Sequence, residues 1–275
     1  MPAVPETLYH YTTQVGLIGI INNSSIWATL IRYMNDAAEY QLGFDICGKS
    51  VQELAKLYQG KPETQMLDVM RTALWSKERM NVCVTSFSTH DDLLSQWRGY
   101  AGGAAGFCLG FDTQMLRDAA TANNPKFNLA ECIYEADARQ KAVDDLVRVF
   151  LRLKTYESDD QVDQDDQEEF VRFQSVFPRL AARIKHEAFR EEAEWRLISE
   201  DGVNSNRLQF RPGPSMLVPY ASISLGANCE ALTSITIGPT AHPKLAGEAV
   251  ETLLMSKGIA HRVVLRQSRA PYRAW

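Results

Sequence analysis

Leu8-Tyr9-His10-Tyr11-Thr12-Thr13, followed by Val15, Ile18 and Ile21, is the stretch on which the fold turns. Aromatic and polar side chains alternate through residues 8–12, the period-two pattern of a short strand with two unlike faces. Thr12 or Thr13 then caps a helix whose apolar positions recur at helical spacing. This predicts His10 near the end of a strand where a helix departs. A rigid strand and backbone N–H groups converge on a ligand at such a place. A histidine between two tyrosines also fits a purely structural, hydrogen-bonded role.

Outward from this stretch, Ser25–Thr29 reads as a second strand and Ala37–Lys77 as largely helical, broken at Gly60-Lys61-Pro62. Asn35 or Asp36 caps that helix, with Glu39 in its first turn, where a negative charge suits the helix dipole. Asn81–Ser88 is a β-rich strand. Leu94, Trp97 and Tyr100 share a helical face, and a glycine-rich turn over 101–106 opens a further strand ending at Asp112. That turn lacks the Gly-Lys-Ser/Thr of a phosphate loop, and it precedes its strand instead of leaving one. Leu129–Tyr134 is predicted as a strand and Ala138–Tyr156 as an amphipathic helix. Seven acids between Ser158 and Glu169 predict a solvated, mobile loop, and a helix follows to about Phe189. The last third gives short strands at 208–211, 216–219, 223–226, 235–238 and 262–265, with a helix over 246–257 closed by Gly258. The order predicts an α+β fold over 1–275 as a single domain, with helical insertions near 40–80 and 138–190. No repeat and no linker interrupts it.

Composition narrows the class. The chain has 275 residues, 45% apolar and 23% charged, and a net charge of −5, an ordinary globular balance without a basic excess that would point to nucleic acid. No basic N-terminal segment leads an apolar run and no apolar stretch reaches membrane-spanning length, so the expectation is a cytoplasmic protein without a membrane partner. The five cysteines are scattered without a CxxC pair, which argues against both a disulfide framework and a cysteine zinc site. The five histidines show no HExxH or His-x-His spacing, so a metal hydrolase has little support, and no metal is expected. A Cys–His nucleophile has no local support either.

Glu192, Glu194 and Arg196 fall on one face of the strand Glu191–Ile198, with Trp195 and Leu197 on the other. Two acids and an arginine are costly to bury unless they pair, so either a surface strand or a polar cleft accounts for them. A histidine, an aromatic residue and a glutamate on separate strands suit NAD⁺ as co-substrate. The histidine hydrogen-bonds a ribose hydroxyl, a ring stacks on nicotinamide, and a carboxylate stabilises the oxocarbenium-like ribose as nicotinamide leaves, as in glycoside hydrolysis. No metal is needed.

Leu8–Thr12 through Gly16–Ile21 resembles the first strand and helix of the histidine-type ADP-ribosyltransferases, a group that includes toxins modifying DNA. Over most of its length the chain also resembles a bacterial family of unknown function whose members are often parts of phage-defence or toxin systems. The motifs are Asn35, Asp36 and Glu39; Ser86-Phe87-Ser88; Trp97, Tyr100 and Ala101 with Gly106–Asp112; and Glu192–Ile198. The transferase resemblance implies a split, mainly antiparallel sheet. It implies His10, Tyr100 and either Glu192 or Glu194 as the catalytic set, with Glu194 preferred because it directly precedes the Trp-Arg-Leu-Ile run. Trp97 and Phe87 are rivals to Tyr100, and Trp97 equally fits a core anchor. Tyr11, Thr12, Ser86, Phe87, Trp97, Arg98 and Arg196 are the implied NAD-binding residues, the arginines through bidentate bonds to pyrophosphate. Arg196 fits a structural ion pair with Glu192 or Glu194 slightly better.

The resulting expectation is an ADP-ribosyltransferase-like effector, a toxin or antiphage protein, that transfers ADP-ribose to a protein or nucleic acid and is restrained by an antitoxin or defence-system partner. An NAD⁺ glycohydrolase uses the same residues with water as acceptor. A non-catalytic nucleotide- or protein-binding module of a defence system is the alternative of another class.

Overall fold

The computed structural model describes residues 4–34, 37–76, 82–100, 106–154 and 162–270. The fold is α+β, built on a mainly antiparallel sheet. Its strands are β1 (Thr7–Thr12), β2 (Ser25–Leu30), β3 (Cys83–Ser88), β4 (Phe107–Asp112), β5 (Phe127–Glu131), β6 (Glu194–Ser199), β7 (Gln209–Pro212), β8 (Leu217–Ser224), β9 (Leu232–Ile237) and β10 (Val264–Gln267). The helices are α1 (Gln14–Asn23), α2 (Ala37–Leu57), α3 (Glu63–Trp75), α4 (Leu94–Tyr100), α5 (Thr113–Thr121), α6 (Ala136–Lys154), α7 (Val162–Ala181) and α8 (Pro243–Ser256).

The sheet divides at β3. One section runs β5-β6-β3-β2-β8-β7 and the other β1-β4-β9-β10, with only β9 and β10 parallel. Both β1 and β2 pair with the same edge of β3, at its two ends. β2 meets it at Thr29↔Val84 and Leu30↔Cys83, and β1 meets it at Tyr9↔Ser88. Between those registers the two strands part, and a cleft opens over residues 85–87. The far edge of β3 is continuously paired with β6, from Val84↔Ile198 to Ser88↔Glu194.

Alternation along the strands feeds two cores. On one face Leu8, Ile26, Ala28, Phe87, Leu109, Leu197, Ile223 and Ile235 pack with Leu17, Ile20 and Ile21 of α1, Leu116 of α5 and Leu254 of α8. On the other, Val84 and Ile198 meet a helical layer centred on Phe44, Met66, Met70, Val147, Phe150, Phe173 and Phe177. The layer closes tightly where Gly43 faces Ala181, since a Cβ on residue 43 would lie 2.9 Å from the Ala181 Cα.

The helical layer is built from α2, α3, α6 and α7, and several element boundaries differ from those predicted. Residues 162–169, expected as a loop, begin α7, because Glu and Gln are good helix formers and the helix is anchored by buried Phe173 and Phe177. The chain leaves this helix at Ala181, three residues after Pro178, instead of at Phe189. Ile184 then bridges Ile133, and a 3₁₀ turn follows over Glu187–Glu192. The two strands expected at 216–219 and 223–226 are one, β8, because pairing with β2 runs unbroken from Thr29↔Tyr220 to Ser25↔Ser224. The unforeseen α5 is capped by Asp112, whose carboxylate accepts from the Met115 N–H at 2.8 Å. Asn35, Asp36 and the glycine turn over 101–105 lie outside the described residues.

Candidate functional site

The cleft between β1 and β2 has a volume of about 570 Å³, within the range of small-molecule sites. β1 and the start of α1 form one wall, β2 and the end of β7 the other, and β3 the floor, with Tyr100 of α4 and Glu192 and Glu194 at the margin. Thr13 is the helix cap, its hydroxyl accepting from the Gly16 N–H at 3.2 Å. Gly16 permits the close approach of this wall, as a Cβ there would fall 1.9 Å from Thr12 Oγ1.

His10 is half-buried on the wall, with its ring 5.7 Å from that of Phe87. Its Nδ1 is 2.9 Å from the carbonyl oxygen of Ser86. A carbonyl only accepts, so Nδ1 carries the proton, and Nε2 of the neutral ring is left as an acceptor. Burial lowers the His10 pKa, against the smaller opposing pull of the Ser86 carbonyl, and keeps the ring neutral. The carbonyl it binds lies in the stretch of β3 between the β1 and β2 pairings, where a strand edge needs partners for its backbone groups. Beside it, Ser86 Oγ is buried and has no hydrogen-bond partner among the described residues. Such an orphaned group on a cleft floor is a natural contact for a ligand.

Glu194 lies behind the cleft in a buried ionic cluster. Arg196 Nε and Lys185 Nζ each sit 2.6 Å from one of its carboxylate oxygens, and Arg196 Nη2 adds a bond of 3.1 Å. Lys185 also donates to Glu192 at 2.6 Å, and Glu39 Oε2 stands 3.6 Å from both cations. Burial alone would raise the Glu194 pKa, but Arg196 and Lys185 together bring it down to about 2. Burial works against the charge on Lys185 as well, yet Glu194 and Glu192 raise its pKa. Arg196 further donates to the Ala182 carbonyl at 2.8 Å, and the Glu194 N–H to the Tyr134 hydroxyl at 2.8 Å. Glu192 is the more open carboxylate, with 19% of its side chain exposed against 5% for Glu194.

The structure thus brings His10, Tyr11, Thr12, Ser86, Phe87, Tyr100, Glu192 and Glu194 to one cleft. Of these, Phe87 is a core residue, packed edge-on against Phe111 at 6.0 Å. Tyr11 is buried against Trp97, and its hydroxyl donates to the His90 carbonyl and accepts from the Leu93 N–H, both at 2.9 Å. Trp97 is a buried anchor bonded through Nε1 to Asp92 at 2.7 Å, and neither it nor Arg98 lines the cleft. Tyr100 lines it and is 37% exposed. Arg196 is taken up by the ion cluster instead of facing the opening.

Sequence reasoning did not single out Lys185, Tyr9, Trp27, Tyr33 or Arg211, and it read Glu39 only through its helix turn and its motif. The alternation Glu-x-Glu-x-Arg was compatible with a surface strand or a polar cleft, and only once its burial is known does the surplus negative charge call for another cation. Nothing local marked Lys185 as that cation. Among the described residues no group of three or more His, Cys, Asp or Glu is placed to hold a metal ion, and no helix is long and apolar enough to cross a membrane.

Residues 96–197 match a family described as a protein of unknown function (DUF2971). This span holds Tyr100, Lys185, Glu192, Glu194 and Arg196, while His10, Glu39 and Ser86 lie before it. No curated protein and no solved structure matches the chain.

Proposed function

We propose that this protein is an ADP-ribosyltransferase-like enzyme that cleaves the nicotinamide–ribose bond of NAD⁺ and passes ADP-ribose to a macromolecule, in a toxin or antiphage setting. The observation that carries the reading is a neutral His10, with Nε2 left as an acceptor, and two carboxylates on one cleft at the split of the sheet. In this scheme Nε2 accepts a hydrogen bond from a ribose hydroxyl, and the orphaned Ser86 hydroxyl supplies a second polar contact. Tyr100 covers the flat nicotinamide ring. Glu192 faces the ribose carbon as positive charge develops, because its carboxylate is the more open of the two. Glu194, with both oxygens bound, holds Lys185 and so positions Glu192. The glycosidic electron pair leaves with nicotinamide, the acceptor's nucleophile bonds to the ribose carbon, and the acceptor's proton passes to solvent.

The test is incubation with adenine-labelled NAD⁺ and bacterial lysate, measuring nicotinamide release and the fate of the label. Glu192→Gln and His10→Ala are each expected to lower release at least about 100-fold, the scale of lost charge stabilisation, with the fold intact. Label on a macromolecule supports transfer, and free ADP-ribose alone supports the glycohydrolase. No nicotinamide release, or release unchanged in both variants, overturns the proposal. The binding-module reading has one observation in its favour: Glu194 is fully engaged by Arg196 and Lys185, as in a structural ion cluster.

A further inference from the structure

The wall of the cleft formed by β2 and β7 carries a cation that the scheme above does not use. Arg211 is the only arginine or lysine among the described residues lining the cleft. Its guanidinium lies 5.9 Å over the Trp27 ring, and Nη2 donates to Thr29 Oγ1 at 3.3 Å. Trp27 is 39% exposed and is buttressed from β8 by Tyr220, with ring centroids 4.5 Å apart. Tyr220 is fixed in turn by its hydroxyl bond to Gln209 at 2.9 Å. The guanidinium is therefore held in place by an aromatic face and a hydroxyl, neither of which neutralises it. No described carboxylate forms an ion pair with it, and its Nε is buried without a hydrogen-bond partner. The two cations beside Glu192 and Glu194 are engaged, since Lys185 and Arg196 face Glu39, Glu192 and Glu194.

A fixed, partly buried guanidinium with no anion is incomplete by itself, because its donors suit a phosphate or carboxylate. The position adds a constraint on length. Thr29 is in register with Val84 and Glu194 with Ser88, four residues apart along β3. At 3.3 Å per residue this separates the two ends of the cleft by roughly 13 Å along the strand. A ligand touching both ends is extended, longer than a nucleoside and suited to a dinucleotide.

We infer that Arg211, fixed by Trp27 and Thr29, is a phosphate-recognition site for a dinucleotide lying along the cleft. The identity of that dinucleotide as NAD⁺ rests on the function proposed above. The site replaces Arg98 and Arg196 in the phosphate-binding role that sequence reasoning gave them.

Calorimetric titration with ADP-ribose, which keeps both phosphates and lacks the scissile bond, tests it on the full chain, with adenosine as the phosphate-free probe. Arg211→Gln is expected to weaken ADP-ribose about 10- to 100-fold, the scale of a charge-assisted hydrogen bond. Adenosine binding stays as in the wild type, and Arg211→Lys falls between. Circular dichroism of the three proteins checks the fold. The inference is overturned if wild type does not bind ADP-ribose, if Arg211→Gln binds it as wild type does, or if adenosine weakens by the same factor. Arg211-dependent ADP-ribose binding without NAD⁺ cleavage would leave the phosphate site standing and remove the proposed reaction. Glu192-dependent cleavage with a KM for NAD⁺ that Arg211→Gln does not change would do the reverse.

Discussion

At the residue scale, the chemistry of the cleft turns on two groups held in unequal ways. His10 is kept neutral by burial, and Glu194 is kept ionised by Arg196 and Lys185 despite burial. Both pKa values are lower in the folded chain than in the unfolded one, so the unfolded state binds more protons on acidification and stability falls. For His10 the loss begins as pH drops through the ordinary imidazole value of 6.5, and for Glu194 as it drops from 4.5 towards about 2. Thermal melts from pH 8 to pH 3 are expected to show a decline in two stages. His10→Gln removes the upper stage and Glu194→Gln reduces the lower, to which Asp92, held low by hydrogen bonds from Ser268, Arg269 and Trp97, also contributes. A melting profile that His10→Gln leaves unaltered between pH 7 and pH 5 would contradict the neutral, half-buried ring. The strand and cap around His10 were legible in the sequence because alternation and capping are local. The tautomer was not, since the carbonyl that fixes it belongs to Ser86, 76 residues away.

At the scale of elements, helix α2 offers a comparison within itself. Gly43 faces the backbone of Ala181 in α7 with no room for a methyl group, whereas a Cβ at Gly48 meets nothing within 4 Å. Gly43→Ala is expected to destabilise by about 1–3 kcal/mol, as overpacking does. Gly48→Ala should stabilise by about 0.5–1 kcal/mol through helix propensity alone. Urea midpoints of the two variants check this, and equal shifts of the same sign would mean that α2 and α7 do not approach as described. Periodicity predicted both helices. It did not predict where α7 begins and ends, because the Glu and Gln residues in the stretch read as a loop are also good helix formers, and because the strand-like bridge at Ile184 draws the chain away.

At the scale of the whole molecule, one buried lysine joins three parts of the fold. Lys185 follows α7, pairs with Glu192 at the end of the 3₁₀ turn and with Glu194 at the start of β6, and lies 3.6 Å from Glu39 of α2. It thereby ties the helical layer to the sheet beneath the cleft. Lys185→Met is expected to cost about 3–5 kcal/mol, because breaking a buried pair leaves carboxylates uncompensated. Chemical denaturation measures it, and a loss below about 1 kcal/mol would place the pair among exposed, weakly coupled ones.

The sequence by itself determined the period of most elements, the α+β class, and the placing of Glu194 and Arg196 on one face of a strand. Each of these follows from side-chain spacing within a few residues. Only the tertiary structure decided that β1 and β2 share one edge of β3 and then part, which makes the cleft, and that Lys185 and Arg196 enclose Glu194 while Glu192 stays more open. It also decided that Arg211 faces the cleft while Arg98 does not line it. The physical reason is that strand pairing and charge compensation are set between distant segments. Their partners share no local pattern, and which acid meets which cation is fixed only when the sheet and the helical layer close upon each other.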